Sequence, residues 1–102
     1  MKTVVRRIID YSVQIASPEL VILFGSVNKG NYNAGSDIDI LIVSDNNYSK
    51  AMVIERVTTF IKGFSLGADV IICTNETYAD ALNQPLTFLG SIIKSGTVYY
   101  KK

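Results

Sequence analysis

Three segments of the chain carry apolar residues at intervals of three and four positions, the spacing that places them on one side of an α-helix. The first segment ends before Ser17 and Pro18, because proline disfavours helical backbone in the residue that precedes it. The second is expected to stop near Gly67, and the third to have Pro85 in its first turn and to end at Gly96. The apolar residues of these predicted helices are Val4, Val5, Ile8, Ile9, Val13 and Ile15, then Val53, Val57, Phe60, Ile61 and Phe64, then Leu86, Leu89, Ile92 and Ile93.

Short runs of branched apolar residues lie between these segments and indicate buried β-strands. They are Leu20 to Phe24, Asp37 to Val43 and the run that Asp69 opens, while Val98 to Tyr100 is either a short strand or a docked tail. Helices and strands in this order predict the α+β (mixed α/β) class, with a small mixed β-sheet and helices packed on one face. We expect residues 1–102 to form a single domain, since 48% hydrophobic content suffices for one substantial core.

Composition excludes several classes of function. The chain has no histidine, which excludes serine-histidine catalysis and histidine-bound zinc, and Cys73 is its only cysteine, so no disulfide can form within the chain. We expect Cys73 to be a buried strand residue and not a nucleophile. The net charge of +1 favours neither nucleic acid nor an acidic membrane and leaves room for a protein partner. No apolar stretch reaches about 18 residues and no signal-peptide pattern is present, so we expect a cytoplasmic protein.

Candidate chemistry is concentrated between the first two predicted strands. Gly25 ends an apolar run and lets the backbone approach a ligand closely, and Ser26 adds a hydroxyl. The next residues can start a short helix whose free N–H groups point at an anion, which predicts a phosphate-binding turn. Lys29 either is solvated in the following loop or leans over the phosphates.

Carboxylates follow at the start of the next strand. Asp37 and Asp39 project on the same side of that strand, with Cα atoms about 7 Å apart, so both can converge on one hard cation. Mg²⁺ prefers such oxygen ligands and keeps water or substrate phosphates in its remaining positions. Asp69 would complete a cluster of three carboxylates if its strand lies beside the other two. In a two-ion site of this kind, one ion activates a hydroxyl and the other neutralises pyrophosphate.

Each motif alone has an ordinary structural interpretation. A D-x-D pair is usually a solvated strand end, a Gly-Ser pair is usually a plain turn, and a lone aspartate such as Asp69 is often a charge at a strand edge. The combination G-S-x(10)-D-x-D is expected roughly once in a thousand unrelated chains of this length. Its placement, strand then loop then strand, favours metal-dependent nucleotide transfer.

This combination resembles the signature of the DNA polymerase beta-like nucleotidyltransferase superfamily, and the short chain around it resembles the minimal nucleotidyltransferases (MNT), in particular MNT antitoxins paired with HEPN-domain toxins. The resemblance implies metal ligands at Asp37 and Asp39, a third carboxylate at Asp69, and phosphate contacts at Gly25 and Ser26. Many members carry arginines in the loop after Gly-Ser, where this chain has Val27, Asn28 and Lys29. Lysine supplies a point charge without the bidentate fork of arginine, so nucleotide affinity or substrate choice can differ.

The resemblance also implies an activity and a partner. The expected reaction is transfer of AMP from ATP, with two Mg²⁺ ions or Mn²⁺ in their place, to a tyrosine of a HEPN-type toxin held in a hetero-oligomer. A homodimer is an open alternative for the assembly. For the function, the alternatives are a non-catalytic antitoxin that acts by binding and occlusion, and nucleotidyl transfer to a small molecule or to RNA.

Overall fold

The computed structural model describes residues 2–28, 30, 36–46 and 49–102, and these form five helices and four strands. In chain order the elements are α1 (Lys2–Ala16), β1 (Leu20–Phe24), α2 (Gly25–Asn28), β2 (Asp37–Val43), α3 (Lys50–Lys62), β3 (Gly67–Cys73), α4 (Asn75–Leu82), α5 (Phe88–Ser95) and β4 (Thr97–Lys101). The strands make one sheet in the order β3-β2-β1-β4. The predicted α+β class with a small mixed sheet is therefore confirmed.

Strand direction in this sheet follows from the connections. The short link through α2 lets β2 return antiparallel to β1, whereas α3 carries the chain across the sheet so that β3 lies parallel to β2. β4 pairs antiparallel with the other side of β1. Of the two alternatives for Val98 to Tyr100, a short strand or a docked tail, the strand is therefore correct. β2 and β1 are thus the central strands, and β3 and β4 are the edges.

The larger core lies between the sheet and the layer formed by α1 and α3. Alternate residues of β2, namely Ile38, Ile40 and Ile42, are fully buried against this layer because strand side chains alternate between faces. Tyr11 of α1 and Phe60 of α3 stack with ring centroids 4.2 Å apart where the two helices meet. α1 and α3 thus pack on one face of the sheet as predicted, and further helices lie on the opposite face.

A second, smaller core occupies the opposite face of the sheet. Leu41 and Val43 of β2 pack there with Ile92 of α5, and Tyr78 of α4 lies against the same cluster. Cys73 is buried in it, as expected for a strand residue. The helices α4 and α5 therefore cover part of this face. The first residues of β2 lie outside the cluster that these helices cover.

Several helix ends differ from the sequence prediction for local reasons. α3 ends at Lys62 with Gly63 as its cap, so Phe64 lies beyond the helix although it still packs against the core. α5 begins at Phe88 and not at Pro85, because the Thr87 side chain accepts a hydrogen bond from the Gly90 N–H and caps the helix there. The sequence pattern does not predict α4, since its eight residues bury only Ala81. None of the helices in the described ranges is both long and apolar enough to cross a bilayer.

Candidate nucleotidyltransferase site

Strand register places the three aspartates at one end of the sheet. Asp39 lies opposite Phe24 of β1 on one side and opposite Asp69 of β3 on the other. Asp37 and Asp39 alternate with the buried Ile38 and therefore project on the face opposite α1 and α3. Asp69 shares that face, because aligned residues of adjacent strands point to the same side. The structure thus brings Asp69, which is distant in the sequence, to the same end of the sheet as Asp37 and Asp39.

The electrostatic environment of Asp39 reflects this grouping. Asp37 and Asp69 are exposed, whereas Asp39 is half-buried. Burial raises the pKa of the Asp39 carboxyl, and the negative charges of Asp69 and then Asp37 raise that pKa further. The negative charges of Asp69 and Asp37 therefore act on the Asp39 carboxylate. A cation placed among the three carboxylates would relieve the repulsion between them.

The donor chemistry of this edge suits a hard divalent cation, because all three side chains offer carboxylate oxygens. Within the part of the chain that the structure describes, no group of three acidic, histidine or cysteine side chains converges closely enough to form a ready-made metal site. Shared face and register bring Asp37, Asp39 and Asp69 near one another, and their like charges oppose further convergence. Metal ligation by these three residues remains a prediction.

Two glycines make room for the carboxylates. A Cβ atom on Gly25 would overlap the carboxylate of Asp39, and a Cβ atom on Gly67 would overlap that of Asp37. Gly25 also has φ of +78°, a left-handed conformation that glycine adopts without strain. The sequence predicts only that Gly67 stops a helix, and the pattern that indicates a further role is its position two residues before Asp69. In the parallel register, that position lies directly opposite Asp37.

The predicted phosphate turn adjoins the same edge. α2 begins at Gly25, immediately after β1, so its first N–H groups lie beside the position that Asp39 occupies. The Asn28 side-chain amide donates a hydrogen bond of 3.4 Å to the Ser95 carbonyl, which joins α2 to the end of α5. The Ser26 side chain and Lys29 lie outside the described residues, and their phosphate contacts remain predictions.

An α+β sheet with aspartates on two parallel neighbouring strands, beside a glycine turn that opens a short helix, defines a nucleotidyltransferase-type fold. The family model described as "nucleotidyltransferase domain" matches residues 5–92. The chain belongs to this family.

Relatives agree with that assignment. The chain is 32% identical over 80 residues to a Methanocaldococcus jannaschii protein named "putative protein adenylyltransferase", a match that covers 78% of this chain and 76% of the relative. Among solved structures, a toxin-antitoxin with AMP-PNP has a TM-score of 0.63 at 18% identity and covers 94% of this chain and 73% of its own. A "putative nucleotidyltransferase" from Sulfolobus solfataricus has a TM-score of 0.59 at 22% identity, over 100% of this chain and 81% of its own. These structures share the fold.

Replacing Gly67 by alanine should weaken metal binding without unfolding the protein. The new methyl group would displace the Asp37 carboxylate, whose side chain can rotate away, so the expected cost is about tenfold or more in metal affinity. Paramagnetic broadening of the Asp37 to Asp39 amide resonances by Mn²⁺ measures this affinity. The matched control is Gly63→Ala, whose Cβ atom would meet only backbone oxygens of α3. Equal Mn²⁺ affinity in the two variants would contradict the role given to Gly67.

Replacing Asp39 by asparagine should raise the stability of the metal-free protein at neutral pH. Because the folded-state pKa of Asp39 is raised, its ionised form destabilises the fold above its ordinary pKa, and this penalty fades as pH falls and the carboxyl is protonated. The gain should therefore be largest at neutral pH and disappear below about pH 4. Urea unfolding across this range, in chelator, tests the prediction. Asp80→Asn, a substitution on the exposed surface of α4, is the control and should show no such gain.

Proposed function

We propose that this protein transfers AMP from ATP to a hydroxyl group of a partner protein, with Asp37, Asp39 and Asp69 as its catalytic carboxylates. The observation that carries the proposal is the pairing of Asp39 with Asp69 across two parallel strands, at the edge where Gly25 opens α2. Carboxylates for a cation and N–H groups for phosphates are the two requirements of nucleotidyl transfer. Both occur here within one end of the sheet.

The residues divide the work of the reaction. Asp37 and Asp39 would hold both Mg²⁺ ions, and Gly25 and Ser26 would hold the triphosphate through backbone N–H groups and the hydroxyl. Asp69 would lie on the acceptor side and help to activate the acceptor hydroxyl. The acceptor oxygen bonds to the α-phosphorus as the bond between that phosphorus and the α,β-bridging oxygen breaks. Pyrophosphate leaves, and the acceptor proton passes to Asp69 or to water. Bound Mg²⁺ supplies charge neutralisation of pyrophosphate and a lowered pKa for the acceptor hydroxyl.

ATP as the donor and a protein as the acceptor draw support from the relatives. One relative is named a "putative protein adenylyltransferase", and one structural neighbour is a toxin-antitoxin with AMP-PNP. The resemblance to MNT antitoxins narrows the acceptor to a tyrosine of a HEPN-type toxin.

A second candidate is an antitoxin that acts by occlusion without turnover. Exposed apolar side chains would supply the binding surface, since Leu82, Leu86 and Phe88 are 54%, 100% and 68% exposed along the α4–α5 connection. Apolar residues grouped in this way are typical of protein interfaces. Such a surface serves catalysis on a protein and plain binding equally well, so a measurement of chemistry must separate the two.

Incubation with ATP, Mg²⁺ and the protein encoded by the adjacent gene, as the partner, should add AMP to that partner. Intact-mass spectrometry should show an increase by one or more AMP groups, and peptide mapping should place them on tyrosine. Omission of Mg²⁺ is the matched control and should abolish the adduct. If saturating ATP and metal yield no adduct on the partner, protein AMP transfer is the wrong activity.

The double variant Asp37→Asn, Asp39→Asn separates catalysis from occlusion. Catalysis predicts that the folded variant no longer neutralises the partner and loses the stabilisation that Mg²⁺ and ATP confer on the parent protein, which is about 2.7 kcal/mol at 100 times the dissociation constant. Occlusion predicts that neutralisation persists. Cell growth on co-expression, together with melting curves with and without Mg²⁺ and ATP, distinguishes these outcomes.

A further inference from the structure

A cavity of about 390 Å³ lies beside the amino-terminal half of α1, apart from the carboxylates. Its walls come from α1, the end of β1, α2 and the edge strand β4. The described residues that line it are Lys2, Val5, Arg6, Leu23, Val27, Asn28, Gly30 and Tyr99. None of these lining residues takes part in the proposed nucleotide transfer.

The cavity and the aspartates are on opposite faces of the sheet. Leu23, in the cavity wall, pairs with Ile40 and belongs to the core beneath α1 and α3. Asp39 pairs with the next residue, Phe24, which belongs to the opposite core. Because successive strand residues point to opposite faces, a ligand in the cavity would not contact the carboxylates. Among the described residues, α2 borders both places: its first residue lies beside Asp39, and its last residues line the cavity.

The floor of the cavity is apolar and held by the main core. Val5, Leu23 and Val27 are each less than a tenth exposed, and they come from three different elements. Their positions are fixed by packing, so the depression exists before any ligand arrives. Such a preformed apolar floor suits a ring or a short aliphatic body.

The rim of the cavity is positively charged. Lys2 and Arg6 lie one turn apart on α1, and no acidic residue is among the described lining residues. Arg6 does pair with Asp10, but at 3.4 Å between Nε and Oδ1 and with both side chains about two-thirds exposed, so solvent screens this contact. The first turn of α1 also contains no acidic residue. The rim therefore favours an anionic group.

An irregularity in β4 supplies the aromatic wall. Val98 pairs with Ile22 and Tyr100 pairs with Val21, so Tyr99 is the extra residue of a β-bulge. A bulge redirects a side chain that strict alternation would send to the other face. Tyr99 consequently lines the cavity on the same side as Tyr100, which packs against the core beneath α1.

We propose that this cavity is a second binding site, for a small molecule that combines one apolar ring or short aliphatic body with a single carboxylate or phosphate. The apolar body would rest on Val5, Leu23 and Val27 beside the Tyr99 ring, and the anion would lie between Lys2 and Arg6. The volume is near the lower end of the range for small-molecule sites, which limits the ligand to about one ring. The site is independent of the proposed AMP transfer.

Nuclear magnetic resonance titration of the full chain in chelator tests the site. The probes are phenylacetate, phenyl phosphate and the neutral phenylacetamide. At least one of the two anions should shift the amide resonances of Val27, Asn28, Gly30 and Tyr99 at millimolar concentration, and phenylacetamide should bind more weakly. Whichever of phenylacetate and phenyl phosphate binds more tightly indicates whether the site prefers a carboxylate or a phosphate. Absence of shifts with both anions, or shifts confined to Asp37 to Asp39 or to Leu86 and Phe88, would overturn the proposal.

Charge-matched variants test the rim. Lys2→Gln with Arg6→Gln should weaken binding of the anion about fivefold or more, because two favourable charge contacts are lost. The control, Arg7→Gln with Lys62→Gln, removes the same charge from residues that do not line the cavity and should leave affinity unchanged. All four residues are exposed on helices, and glutamine is a good helix former, so both variants should fold. Equal affinity in the two variants, whether retained or reduced, would refute the site.

Discussion

The pairing of β2 with β1 on one side and with β3 on the other determines which chemical groups of this chain can meet. β2 buries Ile38, Ile40 and Ile42 in one core and Leu41 and Val43 in the other, so both of its faces are packed against other parts of the protein. A shift of one residue would turn the isoleucines to the opposite face and drive Asp39 into the larger core. The apolar packing of β2 therefore also fixes the position of the carboxylates. The candidate site is built at the end of a strand whose register the core enforces.

At the end of the sheet that carries the three aspartates, electrostatic repulsion destabilises the fold while the packing around it stabilises the fold. Asp39 is half-buried and faces two like charges, a combination that destabilises its ionised form. The nearby backbone accommodates it through glycine, since any side chain at Gly25 or Gly67 would occupy the space of a carboxylate. The apolar cores on the two faces of the sheet offset this local cost. A cation would turn the same arrangement from a repulsive into an attractive one, which agrees with the proposed role in nucleotide transfer.

The four-residue helix α2 stands between the two faces of the molecule. Its first residue borders Asp39, whereas Val27 is buried in the core beneath α1 and lines the second cavity. Asn28 binds the carbonyl at the end of α5, which ties this short helix to the layer on the opposite face. A single turn of helix is thus held by contacts on three sides, although it is too short to be stable by itself. This bracing keeps the turn at Gly25 in place.

Local sequence patterns determined much of this protein, because helix and strand periodicity and the spacing of Asp37 and Asp39 depend only on neighbouring residues. Those patterns predicted α1, β1, β2, α3 and the mixed sheet, and the G-S-x(10)-D-x-D motif resembles that of the nucleotidyltransferases. The fold and the family match confirm these predictions. They did not determine that Gly67 lies against Asp37, that β4 is a paired strand with a bulge, or that α4 exists. These features arise from contacts between residues distant in the chain: the parallel register of β2 with β3, and the pairing of β4 with β1. The sequence alone identified Asp37, Asp39 and Asp69 as candidate site residues. Only the packing of the whole sheet decided which of them became neighbours, because strand register depends on burying both faces at once.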